Sequence, residues 1–120
     1  MQKTLAAAGA INAALAVASG AFAAHGLRER LAARSLEIFE TGARYHMYHA
    51  LGMLLCAVLA ASVPGAKTAG WLLQGGIVVF SGSLYALSLT DVKILGAITP
   101  LGGLAFLAGW VWLAISALRS

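Results

Sequence analysis

The side chains best suited to chemistry in this sequence are its three histidines, His25, His46 and His49. His46 and His49 are three residues apart, so a helix would place them on one face, and His25 could complete a set of three nitrogen ligands for a metal ion. No carboxylate or cysteine at a matching spacing joins them. We therefore expect neither a metal nor another cofactor.

Sequence motifs of known catalytic sites are absent. The chain contains no G-x-S-x-G, no H-E-x-x-H, no phosphate-binding loop that ends in Gly-Lys, and no C-x-x-C. It has only four acidic residues, and three of them lie between residues 27 and 40. The sequence therefore predicts a protein that is not an enzyme.

The composition indicates a membrane protein. Of the 120 residues, 61% are hydrophobic and only 10% are charged, whereas soluble domains carry about 25% charged residues. The net charge of +4 comes from basic residues scattered between apolar runs, where they can contact lipid headgroups. We expect membrane lipids as partners, and no nucleic acid.

Four apolar runs predict the fold. They cover residues 4–24, 43–63, 69–89 and 94–118, and each approaches the roughly 20 residues that cross a bilayer as a helix. The connections after the second and third runs are short. The second and third helices must therefore be antiparallel neighbours, and so must the third and fourth. The predicted fold class is all-α, a polytopic membrane four-helix bundle in a single domain, residues 1–120. Ala21-Phe22-Ala23 resembles a signal cleavage site, but we expect the first helix to be retained, because three further spans could not remain in water.

The connection between the first two runs is long and charged. Between residues 27 and 40, the apolar side chains fall on one side of a helical wheel and most of the charged ones on the other. This pattern predicts an amphipathic helix, 27–40, that lies in the plane of the headgroups. Packing of its apolar face on the protein's own bundle is the alternative, and the two are compatible.

Two segments resemble each other at an offset of 62 residues. VASGAFAAHGL (17–27) and VFSGSLYALSL (79–89) share five of eleven positions, which suggests a pair of parallel helical hairpins. Chance similarity in a chain rich in alanine, glycine and leucine is the alternative. The glycine pairs 75–76 and 102–103 are interpreted as packing positions.

The start of the last helix allows two interpretations. Pro100 could lie inside a helix that begins near Ile94 and kink it. Alternatively, Thr99 could be the N-cap and Pro100 the first helical residue, which is the interpretation we favour.

Several blocks of the sequence also resemble a known family. GAFAAHGL, FETGARYHMYHALGMLL, FSGSLYALSLTDVKILGAITPLGG and FLAGW are similar to the signature of domain of unknown function 423, or uncharacterised protein family 0382, to which the eukaryotic transmembrane protein 256 is similar. The resemblance implies a small four-helix protein of bacterial inner membranes and no established activity. The family pattern usually has glutamine at the position of His46, whereas His25 and His49 match it.

The up-and-down topology predicts that polar groups gather at one side of the membrane. His49 would lie about 9 Å inside the second helix as a neutral, hydrogen-bonded structural residue, with Thr90 or Thr99 across from it. Replacement of His49 by alanine would lower the stability of the bundle by about 1–3 kcal/mol. Replacement of His46 would cost less. A structural hydrogen-bond network is the favoured interpretation of this cluster; a site for a lipid headgroup, quinone or small solute and a metal site are the alternatives. The predicted cluster contains His25, Tyr45, His49, Tyr85, Thr90, Asp91 and Thr99.

Two functions are compatible with these features. The first is a scaffold, accessory or lipid-interacting bundle of the inner membrane, as a homo-oligomer or in a larger membrane complex. The second is a small solute or ion transporter or channel formed by oligomers, which would need a polar stripe through the membrane. The basic residues favour an orientation with the first and third loops in the cytoplasm.

Overall fold

The computed structural model describes residues 1–120 and consists of four helices joined by short turns. The last turn of the first helix and the centre of the third are π-helical. The predicted all-α, four-helix fold is confirmed. The helices are α1 Lys3–Leu27, α2 Ala33–Leu59, α3 Ala66–Thr90 and α4 Leu95–Arg119.

The helices pack in chain order and form a flat bundle. Helix α1 packs along α2, α2 packs on α3, and α3 packs along α4, whereas α1 and α4 hardly meet. The Cα atoms extend over 49 × 26 × 17 Å, so the cross-section is wider in one direction than in the other. Much of α1 and α4 therefore faces outwards.

Three helices, α1, α3 and α4, are long and apolar enough to cross a membrane. Each has 25 residues, which corresponds to about 37 Å of helix. Helix α2 is longer, with 27 residues, but its first half carries Arg34, Glu37, Glu40 and Arg44. Its apolar part is the stretch that follows, residues 45–59.

The prediction of a separate helix over residues 27–40 is wrong. Helix α1 continues to Leu27, a turn follows, and the chain then runs as one uninterrupted helix from Ala33 to Leu59. The apolar face that suggested a separate helix packs inside the protein: Phe39 is buried against Ala23 and Leu27. The amphipathic pattern was therefore that of the first turns of a longer helix that packs on its own bundle.

The prediction that Thr99 is the N-cap of α4 and Pro100 its first residue is also wrong. Helix α4 begins at Leu95, and Pro100 lies inside it. The hydroxyl of Thr99 binds within the bundle, 3.2 Å from the Leu95 carbonyl oxygen and 2.6 Å from the Ser83 hydroxyl oxygen. Because Thr99 is itself helical, its side chain ties α4 to α3 instead of capping α4.

Helix boundaries agree with the predicted pair of parallel hairpins. Helix α3 begins 63 residues after α1, and α4 begins 62 residues after α2. Helices α1 and α3 run in one direction, and α2 and α4 run in the other. The packing is less regular than the boundaries, since the contact between α2 and α3 has no counterpart between α1 and α4.

Glycines set the distance between α3 and α4. Gly102 lies directly against the backbone of Phe80, where a Cβ atom would come within 2.7 Å of the Phe80 Cα. Gly76 leaves room for the ring of Phe106 in the same way. The neighbouring glycines differ, because a Cβ on Gly75 would meet nothing within 4 Å and one on Gly103 would have its nearest neighbour at 4.0 Å. Only one glycine of each predicted pair is therefore a packing position.

Candidate functional site

A hydrogen-bonded network of four side chains crosses the interior of the bundle, with His46 at its centre. The Nδ1 atom of His46 lies 2.9 Å from the hydroxyl oxygen of Tyr85, and its Nε2 atom lies 3.0 Å from the Oδ1 atom of Asn12. An amide oxygen can only accept, so Nε2 carries the proton and Nδ1 accepts the hydrogen bond from Tyr85. His46 thus joins α1 to α3 through α2.

Asn12 extends the network towards the other end of the bundle. Its Nδ2 atom donates to the Ala8 carbonyl and to Gln74 Oε1, both at 2.8 Å. The backbone carbonyl can only accept, which fixes the orientation of the Asn12 amide. Asn12 and Gln74 are 62 residues apart, the offset of the internal similarity, so equivalent positions of the two hairpins bind each other directly.

The centre of the network is buried, and its buried atoms all have hydrogen-bond partners. His46 is 5% exposed and Asn12 is 7% exposed, and no buried side-chain nitrogen or oxygen in the chain lacks a hydrogen-bond partner. His46 is the middle residue of α2, so the network lies at half the height of that helix. Unpaired polar groups at such a position would be costly, and this arrangement avoids that cost.

Gly42 gives Tyr85 access to His46. A Cβ atom on Gly42 would lie 3.1 Å from the Tyr85 ring, closer than carbon atoms normally approach. The same residue accepts a hydrogen bond from Ser81, whose Oγ atom lies 2.7 Å from the Gly42 carbonyl oxygen. The close contact between α2 and α3 at Gly42 therefore sets the position of the Tyr85 hydroxyl.

His49 has different surroundings from His46. Its Nδ1 atom donates to the carbonyl oxygen of Tyr45 at 2.7 Å. Its ring is stacked on Phe106, with ring centroids 3.5 Å apart and planes 6° from parallel, and Trp110 lies 5.8 Å away. The prediction that Thr90 or Thr99 forms a hydrogen bond with His49 is therefore wrong. His49 is also farther from the helix start than expected, about 24 Å along α2, because this helix begins at residue 33 instead of 43.

The other residues of the predicted cluster do not gather into one group. His25 is exposed at the end of α1. Thr90 is exposed and bonds the Ala86 carbonyl of its own helix, and Asp91 forms an exposed ion pair with Lys93 at 3.1 Å. Of the seven predicted residues, Tyr85 belongs to the interior network, Thr99 bonds Ser83, and Tyr45 lies beside His49.

Three members of the network were missed by the sequence analysis as site residues: Asn12, His46 and Gln74. A signal for two of them was present, since Asn12 and Gln74 are polar residues within apolar runs and are separated by the repeat offset. The three histidines do not converge, and no group of three histidine, cysteine or acidic side chains is placed to hold a metal ion.

Comparison with known proteins gives a consistent result. A family model described as "Protein of unknown function (DUF423)" matches residues 19–103. The UPF0382 membrane protein YwdK of Bacillus subtilis is 54% identical over 114 residues, which cover 92% of this chain and 93% of the relative. A UPF0382 membrane protein of Staphylococcus epidermidis is 50% identical over 112 residues, 92% of each chain. No solved structure matches.

Proposed function

Since the chain belongs to DUF423, a family of membrane proteins of unknown function, we propose that it is a non-catalytic scaffold or accessory protein. In this proposal it resides in the cell inner membrane, crosses it several times and interacts with lipids or with other membrane proteins. Its polar interior holds the helices in one arrangement. The outer surfaces of α1 and α4 make the functional contacts.

The observation that carries this proposal is that every buried polar atom of the interior network has a hydrogen-bond partner. Both ring nitrogens of His46 form hydrogen bonds with neighbouring side chains, and so do the side-chain oxygen and nitrogen of Asn12. A catalytic side chain needs a free donor or acceptor that reaches the substrate. A side chain with all its hydrogen bonds inside the bundle instead stabilises the packing of the helices.

The distribution of apolar surface supports a position in the membrane. In the most apolar windows of α1 and α4, only 22% and 17% of the residues are buried inside the protein. Their exposed residues include Ile11, Val17, Leu104 and Leu107, which are each about 60% exposed. Such continuous apolar surface is not stable in water, and lipid or another membrane protein can cover it.

The proposal is tested by purification from the native membrane. We expect the tagged full-length chain, extracted in a mild detergent, to carry the same partner or a second copy of itself at constant stoichiometry, because the outward faces of α1 and α4 are free for such contacts. Mass spectrometry of the purified complex identifies the partner, and another tagged inner-membrane protein of similar abundance is the control. A chain that is always recovered alone would contradict the scaffold role.

A transporter or channel formed by several copies is the second candidate. Its support is the chain of hydrogen bonds from Tyr85 through His46 and Asn12 to Gln74, which is a polar connection along part of the bundle. The chain ends at Gln74, a half-buried residue eight positions after the start of α3. Flux of protons or small solutes into proteoliposomes, if abolished by Asn12→Ala, would favour this function over the scaffold.

A further inference from the structure

His49 has one ring nitrogen that no protein group uses. Its Nδ1 atom faces the carbonyl oxygen of Tyr45, which can only accept, so Nδ1 carries the proton. A neutral imidazole has a single N–H group, and Nε2 is therefore a free acceptor. His49 is 6% exposed, yet no buried polar atom lacks a partner, so Nε2 must face open space.

The open space beside His49 is a cavity of about 400 Å³ between α2, α3 and α4. Its walls are aromatic and aliphatic, and it opens on the side of the bundle. This volume lies within the range of small-molecule sites, which combine apolar walls with a few polar groups. The cavity is lined by Tyr45, His49, Phe80, Pro100, Gly103, Leu104, Phe106, Leu107 and Trp110.

Gly103 keeps the cavity open. A Cβ atom at this position would have its nearest neighbour, the Cδ2 atom of Phe80, at 4.0 Å, so packing does not require a glycine here. The adjacent Gly102, by contrast, is in direct contact with the backbone of Phe80. The missing side chain of Gly103 thus contributes empty volume to the cavity and not a helix contact.

The lining limits the chemistry of a ligand. Nε2 can only accept, so a ligand that binds it must donate a hydrogen bond, and a group with carbonyl oxygens alone cannot pair with it. No charged side chain lines the cavity, which disfavours ions. The rings of Tyr45, Phe80, Phe106 and Trp110 favour a flat aromatic body. Because the cavity opens onto the apolar side of the bundle, the ligand must be soluble in the membrane.

We propose that this cavity binds a membrane-soluble molecule with a phenolic hydroxyl group, such as a quinol with an apolar tail, and that His49 Nε2 accepts the hydrogen bond from that hydroxyl. The corresponding quinone has no hydroxyl group and therefore cannot form this hydrogen bond to Nε2. The proposal does not depend on the scaffold role, because it rests on the lining of the α2–α4 cavity. The two surfaces share Leu104 and Leu107, which line the cavity and are also exposed on α4.

The experiment compares two stable probes, para-nonylphenol and its methyl ether, in which a methyl group replaces the hydroxyl hydrogen and so removes the donor. Binding to the full-length chain in lipid nanodiscs is followed by the fluorescence of Trp110, in a background with Trp71→Phe and Trp112→Phe. We expect the phenol to bind about tenfold more tightly than the ether, the effect of one net hydrogen bond. Equal affinities would overturn the proposal.

Two variants locate the effect. His49→Phe retains a ring on Phe106 but removes the acceptor, so the phenol should bind no better than the ether. Gly103→Leu fills the cavity, and both probes should lose binding. A preference for the phenol that survives His49→Phe, or binding that is unchanged by Gly103→Leu, would overturn the proposed site. If His49→Phe does not fold, the wild-type comparison and Gly103→Leu still decide.

A third probe tests the aromatic part of the proposal. Nonyl alcohol has a hydroxyl donor and a similar tail but no ring. We expect it to bind at least several-fold more weakly than para-nonylphenol, because it cannot stack on the aromatic walls. An equal affinity for the aliphatic alcohol would overturn the assignment to phenols and quinols.

Discussion

Replacement of His46 by leucine is expected to lower the free energy of unfolding by about 2–4 kcal/mol, because it removes the hydrogen bonds of two partners, at about 1–3 kcal/mol for the buried one and about 1 kcal/mol for the half-buried one. These partners are the Oδ1 atom of Asn12 and the hydroxyl group of Tyr85. Leucine is similar in size and apolar, so loss of packing contributes little. Reversible unfolding in mixed detergent micelles, followed by circular dichroism, measures the difference.

The matched control is His46→Gln. A glutamine side chain offers one acceptor and one donor, the two functions that His46 has in the network, and glutamine is the residue that the family resemblance leads us to expect at this position. We expect this variant to recover at least half of the stability lost in His46→Leu. The role of the network would be refuted if the leucine variant were as stable as the wild type, or if both variants lost the same amount.

From the sequence, replacement of His49 is expected to cost more stability than replacement of His46. The structure leads us to predict the opposite. His46 bonds two side chains from two other helices, whereas His49 bonds only the carbonyl oxygen of Tyr45, one turn earlier on its own helix. Loss of a bond within one helix does not separate helices. The contribution of His49 to stability comes mainly from its stacking on Phe106.

The helices themselves could be predicted because their signal is local. A run of about 20 apolar residues needs no information about its neighbours to be recognised as a helix, and all four runs lie within helices or at their ends. The error over residues 27–40 has the same origin. A charged and an apolar face describe both a helix on a membrane surface and the start of a longer packed helix, and only the contact of Phe39 with α1 distinguishes them.

The interior network could not be predicted because it depends on the register between helices. Asn12, His46 and Gln74 meet only because α1 and α3 are placed against α2 at particular heights. A shift of the second helix start from residue 43 to residue 33 moved both His46 and His49 from an end of the helix to its middle. The helices that carry these side chains could be predicted from the sequence, but the distances of the side chains from the start of α2 could not.

Substitutions at Gly102 and Gly103 test whether close contact between α3 and α4 stabilises the protein. Gly102→Ala is expected to lower the free energy of unfolding by about 1–3 kcal/mol, the usual cost of overpacking a rigid contact. The added methyl group would collide with the backbone of Phe80, which cannot move aside as a side chain would. The helices must then separate, and the stacking of Phe106 on His49 is disturbed with them.

Gly103→Ala is the matched control, one residue along the same helix. Its Cβ atom finds its nearest neighbour at 4.0 Å, and alanine favours a helix over glycine by up to about 1 kcal/mol. This variant should therefore be as stable as the wild type or more stable. Unfolding of both variants in the same detergent gives the comparison. If the two substitutions had the same effect, α3 and α4 would not be held together by the contact of Gly102 with Phe80, because only that contact distinguishes the two positions.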